Sequence, residues 1–261
     1  MTDLVAHLAA LTGAETDQLL WQGHCAAMRS YGFDHLLYGC TRYRNRASLG
    51  DPLDWTVLTT YPDGFMRDYV GLGHIHHAPM IHWALNHPGE HISWQTIRDR
   101  VARDAMSPRE MEVLAFNQRF GITAGVTISF HTTSDRTAAA IALVGGPDRT
   151  QAEVDAIWNV HQTELLILNN VMHLKLMTLP QSGCRPLTQR QLEVLQWAGD
   201  GKTTQDIATL LGLTVATVEK HLRLARSALG VETTAQAVLK AAFTNQMFVG
   251  TAEADVKVRK T

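Results

Sequence analysis

The chain has 261 residues, 45% hydrophobic and 18% charged, with a formal net charge of −2. That balance excludes a disordered chain and fits a soluble globular protein long enough for two domains. The charge is uneven: Arg185 to Ala242 carries seven Lys/Arg against five Asp/Glu, which leaves sixteen against twenty elsewhere.

Cys25, Cys40 and Cys184 are odd in number and lack metal-ligand spacing, which argues for a reducing compartment. Met1-Thr2-Asp3-Leu4 has no basic stretch of the signal-peptide kind, and no apolar run approaches the length that spans a bilayer. The expectation is a cytoplasmic protein without membrane segment or cofactor.

In chain order, Thr16 to Tyr31 reads as a helix capped by Thr16. Leu36 to Tyr43 and Asp54 to Thr60 read as strands, the second broken by Tyr61-Pro62. Asp63 to Val70 and Pro79 to Asn86 read as helices. Ser107 to Phe120 is a further helix, with Ser107 capping and Pro108 in its first turn. Val126 to Thr132 and Thr137 to Val144 are strands joined by a polar turn, and Thr150 to Leu179 is one long helix. Strands flanked by helices on both sides predict an α-β-α sandwich around one sheet.

Leu179 to Pro186 holds two prolines, a glycine and a serine and reads as a linker. The predicted division is a first domain at 1–178, a linker at 179–186 and an all-α, four-helix domain at 187–250, α+β in class overall. From Thr251 the tail is polar and frayed.

Three helix starts in the last domain carry capping chemistry, at Thr188, Thr203 and Thr214. Val215, Val218, Leu222, Ala225 and Leu229 recur at steps of three and four, and Gly230 ends that helix. Its other face carries Thr217, Glu219, Lys220, Arg223 and Arg226. A short helix, a tight turn at Gly212 and a longer helix with a cationic polar face is the helix-turn-helix pattern. A fourth helix from Thr234 exposes Val238, Leu239, Ala242 and Phe243.

The gapless stretch Pro186 to Val231 resembles the C-terminal domain of LuxR-type transcription factors, at Glu193, the Trp197 region, Gly201-Lys202-Thr203, Ile207-Ala208, Thr217-Val218 and Leu229-Gly230-Val231. Thr60 to Leu85 with Trp94, and Phe120 to Phe130, resemble the autoinducer-binding domain of the same family. The resemblance implies a ligand-responsive quorum-sensing regulator. It would sense an acyl-homoserine lactone or related small apolar signal and bind DNA, at a palindromic operator, as a homodimer. Glu219 and Arg223 would face base edges, with Lys202, Thr203 and Lys220 on phosphate and Thr217 beside them. The last helix, near Val238 and Ala242, and the helix from Thr150 to Leu179 are the candidate dimer faces.

The resemblance also implies a ligand site at Tyr61, Phe65, Tyr69, His77, Ala78, Trp94, Thr127 and Ser129. Tyr61 would donate to the acyl carbonyl and Tyr69 would line the chain pocket. Two positions depart from the family pattern. Phe65 stands where the family has a tryptophan donor to the lactone carbonyl. Ala78, before Pro79, stands where it has the aspartate that accepts the ligand amide N–H. Either His74, His76 or His77 supplies the missing polarity, or the ligand is not a standard lactone. Taken alone, Phe65, Tyr69 and Trp94 favour ordinary core packing over a ligand role.

Six of the thirteen histidines lie between His74 and His91. His74, His76, His77 and His82 invite a second reading: a metal-binding sensor or metal-dependent enzyme domain joined to a DNA-binding domain. No carboxylate between Asp68 and Glu90 would complete such a site. The expectation is therefore no metal site and no catalytic residues.

Overall fold

In the N-terminal part, five strands form one antiparallel sheet in the order β2-β1-β5-β4-β3. They are β1 (Phe33–Thr41), β2 (Thr56–Thr59), β3 (His91–Ser93), β4 (Gly125–Ser129) and β5 (Ala138–Gly145). The helices are α1 (Leu4–Gly13), α2 (Asp17–Tyr31), α3 (Phe65–Gly71), α4 (Pro79–Asn86), α5 (Gln95–Ala102), α6 (Pro108–Arg119) and α7 (Gln151–Leu176). This computed structural model describes residues 4–44, 49–132, 134–179 and 187–247. The chain divides into two units, Met1–Leu176 and Met177–Thr261, two residues short of the expected end of the first domain. Most of the linker, Cys184 and the tail lie outside the described residues.

Local chemistry sets the helix ends. The Thr16 side chain accepts from the Leu19 amide, and Gly32 closes α2 at φ 100°, a conformation that favours glycine, so the chain turns into β1. Ser107 and Glu110 form a reciprocal capping box with Pro108 in the first turn of α6. The strand expected over Asp54 to Thr60 is shorter because Pro52–Asp54 forms a 3-10 turn. The strand expected to Thr132 ends at Ser129. The sequence reading missed α1, α5 and β3.

The two faces of the sheet differ in side-chain size. On one, Ile141 and Leu143 are fully buried beneath the layer of α1, α2 and α7. There the Tyr38 hydroxyl and His173 Nδ1 share a hydrogen bond of 2.9 Å, and the His173 ring stacks on Phe130 at 4.3 Å, fastening α7 to the sheet. The other face carries Gly39, Ala138, Ala140 and Ala142, with Gly39 paired to Ala140 and Leu37 to Ala142. Glycine and alanine leave room between this face and α3 to α6. The result is the α-β-α sandwich, hollow on one side.

The C-terminal unit holds α8 (Gln189–Gly199), α9 (Thr204–Leu211), α10 (Val215–Leu229) and α11 (Thr234–Phe243). Thr188, Thr203, Thr214 and Thr233 cap them in turn. Gly212 at φ 65° and Gly230 at φ 66° end α9 and α10 in the left-handed region. Val194, Leu195, Ile207, Val218, Leu222, Leu229, Ala237 and Ala241 make the core. Val238 is half-buried against it and Phe243 is half-buried too, so neither is exposed as expected; Leu239 and Ala242 are. Burial of Ala237 and Ala241 turns that side of α11 inward and carries Val238 with it.

Candidate ligand cavity and nucleic-acid interface

The hollow is a cavity of about 580 Å³, within the size range of small-molecule sites. Tyr61, Phe65, Tyr69, Ala78, Trp94 and Thr127 all line it. The sequence thus places six of its eight expected ligand residues around one space. His77 is not among them: it is exposed, because it follows the 3-10 turn His74–His76 and the chain points inward only at Ile75 and Ala78. Ser129 is buried but does not line the cavity; its hydroxyl donates to the Ala84 carbonyl at 2.7 Å and holds α4 against β4. Its role is to position the wall.

The aromatic end is tightly packed. Phe65 stacks on Tyr69 at 5.1 Å, and Tyr61, Phe116 and Phe120 meet its ring edge-on. Gly64, at φ 83°, starts α3 and sends Phe65 straight into this cluster. Burial raises the phenol pKa of Tyr61 and of Tyr69 well above the ordinary value, so both stay protonated donors. No hydrogen bond joins either hydroxyl to another of the described residues. Trp94 lies flat on the chain at Gly125, where a Cβ would come within 3.2 Å of its ring. Its indole N–H donates to Thr127 Oγ1 at 2.8 Å. That N–H is already satisfied within the protein.

The remaining histidines take other roles. His74 is half-buried, its ring 4.8 Å from Phe116, and desolvation lowers its pKa. His76 is exposed, and His82 Nε2 bonds the His76 carbonyl at 2.8 Å. Among the described residues no three His, Cys, Asp or Glu side chains gather as a ligand set.

Residues that sequence reasoning missed complete the cavity. Gly39, Ala138, Ala140 and Ala142 form the floor, Met66 and Met80 the sides, and Asn117 the inner wall. The signal was present: Ala138, Ala140 and Ala142 share one face of a strand by their spacing of two. Arg98, Val101, Ala102 and Gln118 line the cavity yet are exposed, so it opens between α5 and α6. Arg98 donates to the Thr123 carbonyl at 3.1 Å across that mouth.

In the C-terminal unit, Glu219, Lys220 and Arg223 are exposed on α10. With Thr204, Arg226 and Thr234 they share one shallow surface, where Arg226 donates to Thr234 Oγ1 at 3.0 Å. Lys202 is exposed just before α9. The Thr203 hydroxyl is engaged in its capping box, donating to Asp206 at 2.6 Å. Thr217 pairs its hydroxyl with that of Thr214 at 2.8 Å, so it serves the cap of α10 as well as its outer face.

A hollow α-β-α sandwich followed by a four-helix unit with an exposed cationic helix defines a ligand-binding domain joined to a helix-turn-helix domain. Comparison with known families agrees. Residues 16–176 match the autoinducer binding domain, and residues 185–241 match the luxR family of bacterial regulatory proteins. The chain belongs to the LuxR family of quorum-sensing transcriptional regulators. It is 27% identical to the transcriptional activator protein SolR of Ralstonia nicotianae, over 87% of this chain and 92% of that one. It is 25% identical to the transcriptional activator protein LuxR of Aliivibrio fischeri, over 73% of this chain and 74% of the other. The fold is similar to the crystal structure of CepR2 from Burkholderia cenocepacia, an N-acylhomoserine lactone dependent LuxR family transcription factor. That match has a TM-score of 0.52 at 20% identity and covers 67% of this chain and 93% of that one. No helix among the described residues is long and apolar enough to cross a membrane. Nothing in these comparisons favours the metal alternative.

Proposed function

We propose that the protein is a cytoplasmic binding protein rather than an enzyme. It holds one small neutral amphiphile, an acyl-homoserine lactone or a related signal, in the cavity and in that form regulates transcription from a palindromic operator. The observation that carries this reading is the cavity itself, apolar along its floor, with two buried phenols at one end that lack protein partners. An acyl chain matches the floor, and a carbonyl matches the phenols. Glu219 and Arg223 on α10 reach base edges, while Lys202, Thr203 and Lys220 grip phosphate.

Pairing of two copies runs along α7. Ala156, Val160, Thr163, Ile167, Asn170 and Leu174 are all exposed on it, at successive steps of four and three. That is the spacing of a coiled-coil seam, and Val160 and Leu174 are 76% and 64% exposed. A second copy of α7 offers the same seam in return, and two-fold pairing suits a two-fold operator.

The test is to purify the full chain from cells supplied with N-acyl-homoserine lactones of graded chain length and analyse its organic extract by mass spectrometry. The expected result is one lactone retained at about one per chain. Recovery of none at any chain length overturns the lactone assignment.

A further inference from the structure

We infer that Gln151 of α7 is the positioning residue for Trp94. From the far side of the sheet it sets the indole wall of the cavity, so ligand affinity depends on a side chain that never touches the ligand. The inference rests on the ligand-binding reading above and deepens it. Gln151 is 3% exposed and does not line the cavity. Its carboxamide lies along the backbone of Gly125, where Oε1 accepts from the Gly125 amide at 2.9 Å and Nε2 donates to the Gly125 carbonyl at 3.0 Å. Strand pairing is only half made at this point. The Trp94 amide donates to the Gly125 carbonyl at 3.0 Å, but the Trp94 carbonyl turns away to accept from the Ile97 amide as α5 begins. Gln151 takes up the Gly125 amide that β3 leaves over.

Trp94 rests on the backbone that Gln151 holds. A Cβ on Gly125 would come within 3.2 Å of the indole and 2.7 Å of the Leu143 carbonyl, so the ring lies directly on the chain there. The residues on either side of Trp94 join the same cluster. The Ser93 hydroxyl donates to Asp155 Oδ1 at 2.6 Å and accepts from the Gln95 amide at 3.0 Å. Gln151 Nε2 also lies 3.1 Å from Ser93 Oγ and 2.9 Å from Asp155 Oδ1, one turn further along α7. The chain before, at and after Trp94 is thus tied to one helix across the sheet, directly or through Ser93. The indole N–H reaches Thr127, two residues on from Gly125 in β4. Without Gln151 the start of β4 shifts, and a ring that rests on Gly125 and is bonded to Thr127 tilts with it.

The experiment pairs two measurements on the full chain. Calorimetric titration with N-decanoyl-homoserine lactone reads affinity. Fluorine NMR of chains labelled with 5-fluorotryptophan reads the six indoles, the Trp94 signal being the one lost in Trp94→Phe. Gln151→Met, similar in length but with no donor for Gly125, weakens the lactone by roughly tenfold, the worth of one hydrogen bond. It also moves or broadens the Trp94 signal more than any other. Binding of N-phenyl-1-naphthylamine shows that the variant keeps its cavity. Where methionine unfolds the chain and the probe no longer binds, Gln151→Asn, whose amide falls short of Gly125, gives the same pair of changes. Weaker lactone binding with an unmoved Trp94 signal overturns the inference, since Gln151 then acts on the fold at large. Unchanged lactone affinity in a probe-binding variant overturns it too, and both results leave the ligand-binding reading standing. A wild-type protein that binds the probe but not the lactone overturns the lactone reading and the inference together.

Discussion

Gly39 lies opposite Ala140 across β1 and β5, and a Cβ built on Gly39 meets no atom within 4 Å. The pair forms the low point of the cavity floor. Gly39→Leu or Ala140→Leu should therefore enter empty space rather than crowd a packed core. We expect either variant to keep or slightly raise stability while weakening long-chain acyl ligands by tenfold or more. Titration with lactones of increasing chain length checks it; equal affinity across the series in wild type and variants would show that the floor does not hold the chain.

Ala78 precedes Pro79 as the N-cap of α4 and makes no side-chain cap hydrogen bond. Ala78→Asp would supply both a cap, worth about 0.5–2 kcal/mol, and an acceptor facing the cavity. Burying the carboxylate opposes that gain. We expect a net stability change within about 1 kcal/mol and a higher affinity for acyl-homoserine lactones. Adding Phe65→Trp should cost about 1–3 kcal/mol, because Phe65 is already ringed by aromatic neighbours. Thermal unfolding with calorimetry on the single and double variants separates the two effects; unchanged lactone affinity in both would remove Ala78 from the head-group site.

Arg223→Ala should lose about 1–3 kcal/mol of binding at the cognate operator and little on random DNA. Lys220→Ala should weaken both alike and flatten the salt dependence. Gel-shift titrations at two salt concentrations distinguish them. Equal losses on both DNAs for Arg223→Ala would reassign that residue to phosphate.

His24 Nε2 bonds Asn169 Oδ1 at 3.0 Å in the packing of α2 against α7, and burial lowers its pKa to about 4. Burial lowers His173 to about 4 as well. An unfolded histidine takes up its proton near 6.5, before the folded one does. Acid therefore favours the unfolded chain, and stability should fall as pH drops from 6.5 towards 4 and stay level above that window. The loss approaches ~3 kcal/mol per histidine at most. Urea unfolding at pH 5 and pH 7.5 measures it. His24→Gln, which keeps a donor for Asn169, should remove part of the slope; an unchanged slope would point to other groups.

Ile167→Glu, at the middle of the α7 seam, should convert dimer to monomer without loss of fold, since Ile167 is exposed in the single chain. Sedimentation with circular dichroism tests this. A dimer that persists unchanged moves the interface elsewhere, with α11 and its exposed Leu239 the next surface to probe.

Much of this architecture was legible in the sequence because it rests on short-range signals. Thr16, Ser107, Thr188, Thr203 and Thr214 announced helix starts through their own side chains, and each caps as expected. β3 escaped notice because His91-Ile92-Ser93 is too short to show alternation and exists through its pairing with β4. α5 escaped because its apolar side is only Ile97, Val101 and Ala102, too short a stripe in eight residues to stand out, and none of its residues is fully buried. The aromatic half of the cavity was read from a resemblance. The void was not, since empty space has no letter; only the alanine spacing in β5 marked it. His77 was misplaced because a single 3-10 turn decides which of three adjacent residues points inward, and spacing alone does not resolve that.

The hollow beneath β5 also bears on the lifetime of the protein in the cell. A fold whose interior is finished by a small molecule gains stability by mass action, about 2.7 kcal/mol when the free signal stands a hundredfold above its dissociation constant. Chains made before the signal accumulates open more often and meet proteases sooner than chains made after it. Abundance then becomes a second readout of signal concentration, set by turnover and independent of any change at the operator. Pulse-chase decay of the full chain with and without ligand, compared with Gly39→Leu, would show how far the floor of the cavity sets that clock.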